Sequence, residues 1–86
     1  MIFKTLSIRD QKGECFNTPY FCRTIGEGER NFEQLVNDPK SLPGTYPDDF
    51  DLYHVADFDD QTGKFQYLDT PQHLCKAIQM VKKLDS

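Results

Sequence analysis

Along the opening stretch MIFKTLSIRD, Ile2, Leu6 and Ile8 alternate with Phe3, Thr5 and Ser7. A period of two marks a strand with one buried face. DQKG (Asp10–Gly13) then carries turn chemistry, with Gly13 placed for the positive φ that closes a short hairpin. ECFNTPYFC reads as the return strand, in which Pro19 removes a ladder donor and so either confines the strand to a sheet edge or ends it.

The period changes near Thr24. TIGE has capping-box spacing, a hydroxyl at the N-cap and Glu27 three residues on, and Phe32, Leu35 and Val36 form the apolar stripe of a helix that must stop before Pro39. Glu27 and Glu29 suit the positive end of its dipole, whereas Gly26 and Gly28 weaken its first turn. DPKSLPGTYPDD, with Pro39, Pro43 and Pro47, reads as one long irregular loop. LYHVADF and KFQYL read as two strands joined by DDQTG. Thr70 and Pro71 then predict the start of a final helix with Leu74, Ala77, Ile78, Val81 and Leu84 on one face. The order is β-β-α-β-β-α: an α+β fold, a small antiparallel sheet backed by two helices, in a single domain spanning residues 1–86.

Charge adds a second pattern. Residues 1–26 carry four cations against two acids, residues 27–63 two against ten, and residues 64–86 four against two. The ends are mildly basic and the middle strongly acidic, for a net charge of −4. That sum is unlike a protein that meets nucleic acid over its whole surface, but leaves room for one basic face. Arg9, Lys12 and Arg23 lie near Phe16, Tyr20 and Phe21, an interleaving suited to a single strand stacked on aromatic rings. With Lys76, Lys82 and Lys83 of the expected last helix they form the candidate nucleic-acid site, Tyr20 and Phe21 being the stacking candidates. The competing reading places those rings in the core and the cations on a solvated rim.

No other chemistry emerges. Asp57, Asp59 and Asp60 before Gly63 miss the calcium-loop pattern, since Thr62 stands where a glycine is needed and Leu68 where the last carboxylate belongs, so they are expected to shape a turn. Cys15, Cys22, Cys75, His54 and His73 lack the close spacings of a zinc site, and no activating motif surrounds a Cys–His pair. The expectation is no enzyme, no metal and no cofactor. An odd number of cysteines, with no signal-like segment and no membrane-length apolar run, points to free and mostly buried thiols in a reducing cytoplasm. A small core, abundant Phe and Tyr and a strand interrupted at Pro19 point to a homo-oligomer.

NFEQLVNDP, YPDDFDLYHVADFDDQTGKF and PQHLCKAIQMV, with the F…R opening and the PYF segment, resemble the small nonstructural DNA-binding protein of gokushovirus-type microviruses, bacteriophages with circular single-stranded DNA genomes. The most specific stretch runs from Pro47 to Gly63, where Ala56 departs from the usual GxFD. The resemblance covers nearly the whole chain. It implies a protein of the host bacterial cytoplasm that binds viral single-stranded DNA and supports the switch from genome replication to single-strand synthesis and packaging, with no catalytic residues. The alternative is a non-enzymatic regulator that docks its acidic stretch, Asp38 to Asp51, on the replication initiator or procapsid proteins.

Overall fold

In the structure, a computed structural model that describes residues 1–82, the opening alternation becomes strand β1 (Ile2–Asp10). β1 pairs along its length with β4 (Phe50–Asp59), and β4 pairs on its far side with β5 (Lys64–Lys76). The other edge of β1 is shared by two short strands, β2 (Cys15–Phe16) and β3 (Tyr20–Cys22). All pairings are antiparallel, so the fold is α+β with a curled sheet in the order β2/β3–β1–β4–β5. Pro19 lies between β2 and β3. The expected return strand is thus an edge strand broken in two where the ladder donor is missing.

The β1–β2 turn differs from expectation at one residue. Asp10 Oδ1 accepts the amides of Lys12 and Gly13, each at 3.0 Å, which folds the first part of the turn tightly. The left-handed residue that closes it is Glu14 (φ 54°) rather than Gly13. A non-glycine residue there costs about 1–2 kcal/mol, against roughly 0.5–1 kcal/mol for the extra chain freedom of glycine. Glu14→Gly is therefore expected to raise stability by about 0.5–1 kcal/mol, read as a higher urea midpoint at unchanged m-value; a lower midpoint would refute the assignment.

Thr24 caps helix α1 (Ile25–Val36), its Oγ1 accepting the Glu27 amide at 3.1 Å. The reciprocal bond of the capping box is displaced by one residue: Glu27 Oε1 takes the Arg23 amide at 3.4 Å. Phe32 and Val36 are buried and Leu35 packs beside them, as the stripe predicts. The proline-rich stretch is more ordered than a loop. Ser41 Oγ donates to Leu35 O at 2.6 Å and accepts the Gly44 amide, capping the short helix α2 (Leu42–Thr45), and a 3₁₀ turn (Pro47–Asp49) leads into β4.

The C-terminal segment corrects the expected helix. Residues 64–76 remain a strand, and only Ala77–Met80 coil into α3, while Leu84 lies outside the described residues. The outer edge of β4 decides this. Its backbone groups at Asp51 to His54 need partners, and Gln72, His73, Cys75 and Lys76 supply them. Tertiary pairing outweighs the cap signal of Thr70 and Pro71. Leu68–Pro71 stand opposite Val55 alone, in a wide bulge off the ladder where the missing amide of Pro71 does no harm.

α1 and α3 pack on one face of the sheet over Leu6, Ile8, Phe50, Leu52 and Cys75. Gly28 permits a close approach of α1 to the sheet. A Cβ placed there would press into Leu6 Cδ1 and lie 2.9 Å from Cys22 Sγ.

Candidate nucleic-acid interface

Residues directly opposite in antiparallel strands point to the same side. Leu6, Ile8, Phe50 and Leu52 face the helices, so the alternate positions face the other way, and register shifts that skip Val55 in β4 and Leu74 in β5 bring Phe58 and His73 to that same side. Among the described residues no helix covers that second face, and it is paved with rings. At one end, Phe21 on β3, Phe58 on β4 and Phe65 on β5 lie with centroids 4.8–6.1 Å apart, and Tyr67 stacks on Phe65 at 5.7 Å with planes only 8° apart. At the other end, Phe16, Tyr53 and His73 form an edge-to-face row across the sheet, with centroids 5.3 and 5.2 Å apart. Phe21 is 51 % exposed and Tyr67 73 %, and Phe16 and Phe65 are each 41 % exposed. Such exposure of bulky rings on one surface is characteristic of binding faces.

The charged groups on this face are few: Arg9, Lys76 and Asp51, with His73 beside Asp51. Arg9 places its guanidinium carbon 5.3 Å from the Phe16 centroid. Lys76 stands opposite Asp51 in the register. Asp51 itself is engaged: His73 Nε2 sits 2.8 Å from its Oδ2. The acids that dominate the net charge are elsewhere. Glu27, Glu29 and Glu33 belong to α1 behind the sheet, and Asp57 shares the helix side with Lys4, whose Nζ is 3.6 Å away. Folding therefore separates the acidic helix from the ring-bearing face, a separation the charge sum conceals.

The residues expected from sequence divide. Arg9, Phe21 and Lys76 belong to the open face. Lys12 is at the tip of the β1–β2 hairpin, and Arg23 follows β3 at the edge. Tyr20 does not fit the stacking role: it points into the helix layer, its hydroxyl donates to Gly28 O at 2.8 Å, and burial holds its phenol well above the usual range. Lys76 and Lys82 do not share a helix. Lys76 ends β5 and Lys82 follows α3, its amide bound to Asn37 Oδ1, while Lys83 lies outside the described residues. Sequence reasoning missed Tyr53, Phe58, Phe65, Tyr67 and His73. The signal was present in KFQYL, where Phe65 and Tyr67 recur at a spacing of two on the side opposite the core.

The acidic hairpin also divides. Asp59 Oδ1 accepts the Gln61 amide and Gly63 closes the turn at φ 72°, as a turn role requires. Asp60 instead pairs with the amino terminus at 2.7 Å, and Asp57 is a strand residue 2.9 Å from His54 Nε2. Among the described residues no three His, Cys, Asp or Glu side chains gather as a metal-holding group. The cysteines are free. Burial raises the Cys22 thiol and pushes Cys75 up to about 11, so both stay protonated at neutral pH, whereas Cys15 is exposed. No helix of the described residues is long and apolar enough to cross a membrane.

Among known families, the model of the phage ORF5 protein matches residues 3–80, which include every ring of the open face. The chain belongs to the phage ORF5 protein family. Neither the curated proteins nor the solved structures contain a match to this phage protein.

Proposed function

We propose that this phage protein binds single-stranded DNA on the open face of its sheet, without catalysis, in support of the switch from genome replication to single-strand synthesis and packaging. The observation that carries the reading is the uncovered pavement of rings drawn from β2, β3, β4 and β5, with Arg9 and Lys76 on the same side and the acids of α1 behind the sheet. Rings on neighbouring strands offer flat apolar surfaces to unpaired bases, and stacking contributes about 1–3 kcal/mol per base whatever its identity. A duplex buries its base faces and offers only edges, so single strands are preferred. The resemblance to the nonstructural proteins of gokushovirus-type microviruses supports the same reading and the role in replication.

Titration of a labelled oligothymidylate at low and moderate salt tests this. Neutralising two to four phosphates gives a log–log salt slope of about −1.4 to −3 for a single strand, and a duplex of equal length should bind more weakly. Absence of binding at low salt would defeat the DNA reading. It would leave the alternative regulator, whose acidic stretch exposes Leu42 and Tyr46 beside Asp48 and Asp49.

A further inference from the structure

The open face is not uniform along its strands. Its two ends differ in chemistry, and the difference bears on how much DNA it holds. Phe21 pairs with Thr5 on β1, and Phe16 pairs with Arg9. These rows are separated by the four residue steps from Thr5 to Arg9, about 13–14 Å at strand rise. The first end is ring-rich and carries no paired charge among the described residues, whereas the second couples rings to Arg9 and to the Asp51–His73 pair. We infer that the face is a two-platform site for one short single strand, with bases stacked at the Phe21–Phe65–Tyr67 end and the backbone charge met chiefly at the Phe16–Arg9 end.

This inference rests on the DNA-binding reading and adds a footprint and a division of labour. A single strand drawn out so that its bases splay apart spaces nucleotides at roughly twice the duplex rise of about 3.4 Å, so two steps cover the gap between platforms. With two bases on the larger apolar end and one at the basic end, about four nucleotides engage both. Shorter strands reach one platform only. The second contact, once within reach, becomes intramolecular and multiplies affinity. The basic end matches a phosphate in charge, and its cations belong to paired strands: Arg9 lies over Phe16, and Lys76 ends β5. Among the described residues no cation is paired on this side at the apolar end: Lys4 and Lys64 alternate to the other side with Asp57 and Asp59, and Arg23 follows the last paired residue of β3.

The experiment is a length series of oligothymidylates, two to ten nucleotides, titrated by anisotropy competition against the intact chain and against Arg9→Gln and Tyr67→Ala. The expected result is a step of about 10²-fold in affinity between two and five nucleotides, followed by a shallow rise as further binding registers become available. Arg9→Gln should shrink the salt slope by about 0.7, and Tyr67→Ala should weaken binding ten-fold or more at an unchanged slope. A smooth length dependence with no step, or a slope that changes equally in both variants, would overturn the two-platform site while leaving DNA binding intact. No binding at any length in low salt would overturn both.

Discussion

Gly28→Ala should lower the stability of this phage protein by about 1–2 kcal/mol, although helix propensity argues the opposite sign. In an exposed helix interior alanine is more favourable than glycine by about 1 kcal/mol. At position 28 that gain is outweighed by packing. The added methyl would drive into Leu6 Cδ1 and Cys22 Sγ, and both neighbours are buried, Leu6 at 0 % and Cys22 at 2 % exposure. Neither side chain has open space to turn into, and overpacking of this kind costs about 1–3 kcal/mol. Whole domains of this size are stable by roughly 4–13 kcal/mol, so the loss is a substantial fraction and should lower Tm by about 5–15 °C. Gly26 supplies the control. A Cβ there meets only Thr24 Oγ1 at 4.0 Å, so Gly26→Ala should stabilise by up to about 1 kcal/mol. Equal shifts of the same sign in the two variants would show that close packing at Gly28 is not what the structure describes.

The second large effect concerns binding. Phe21→Ala combined with Phe65→Ala should weaken single-stranded DNA binding by about 2–4 kcal/mol, some 30- to 1000-fold, with little change in fold. Both rings are about half exposed and lie outside the core formed under α1 and α3, so their loss opens no internal cavity. The rings touch each other at 6.1 Å, so their effects are expected to be less than additive. Circular dichroism and the urea midpoint check folding, and anisotropy at fixed salt reads affinity. Unchanged affinity in a folded double variant would remove the open face from the proposal. Sedimentation of the same variant bears on the expected homo-oligomer: if the rings closed an interface between copies, the double variant would become smaller in solution without DNA present.

Local chemistry was legible wherever neighbours in sequence are also neighbours in space. Thr24 and Glu27 mark the start of α1, Phe32, Leu35 and Val36 mark its buried side, and Pro19 marks the break in the edge strand. Gly63 and Asp59 likewise identify the β4–β5 turn. These signals act through hydrogen bonds and dihedral preferences within a few residues, so the amino-acid order suffices to read them. Two outcomes depended on partners distant in the chain. Thr70 and Pro71 carry the local signature of a helix start, yet Gln72 to Lys76 extend along β4 because that strand, some twenty residues earlier, offers an unpaired edge. The open face is the clearest case. Phe16, Phe21, Tyr53, Phe58, Phe65, Tyr67 and His73 come from four strands, and no single segment reveals whether its rings point to the core or away from it. Once Leu6, Ile8 and Leu52 turn towards α1, the period of two sends Phe16, Phe21, Tyr53, Phe65 and Tyr67 to the opposite side, and the register shifts at Val55 and Leu74 bring Phe58 and His73 to join them. Register between strands then gathers them into one surface, because a one-residue slip would reverse every side chain.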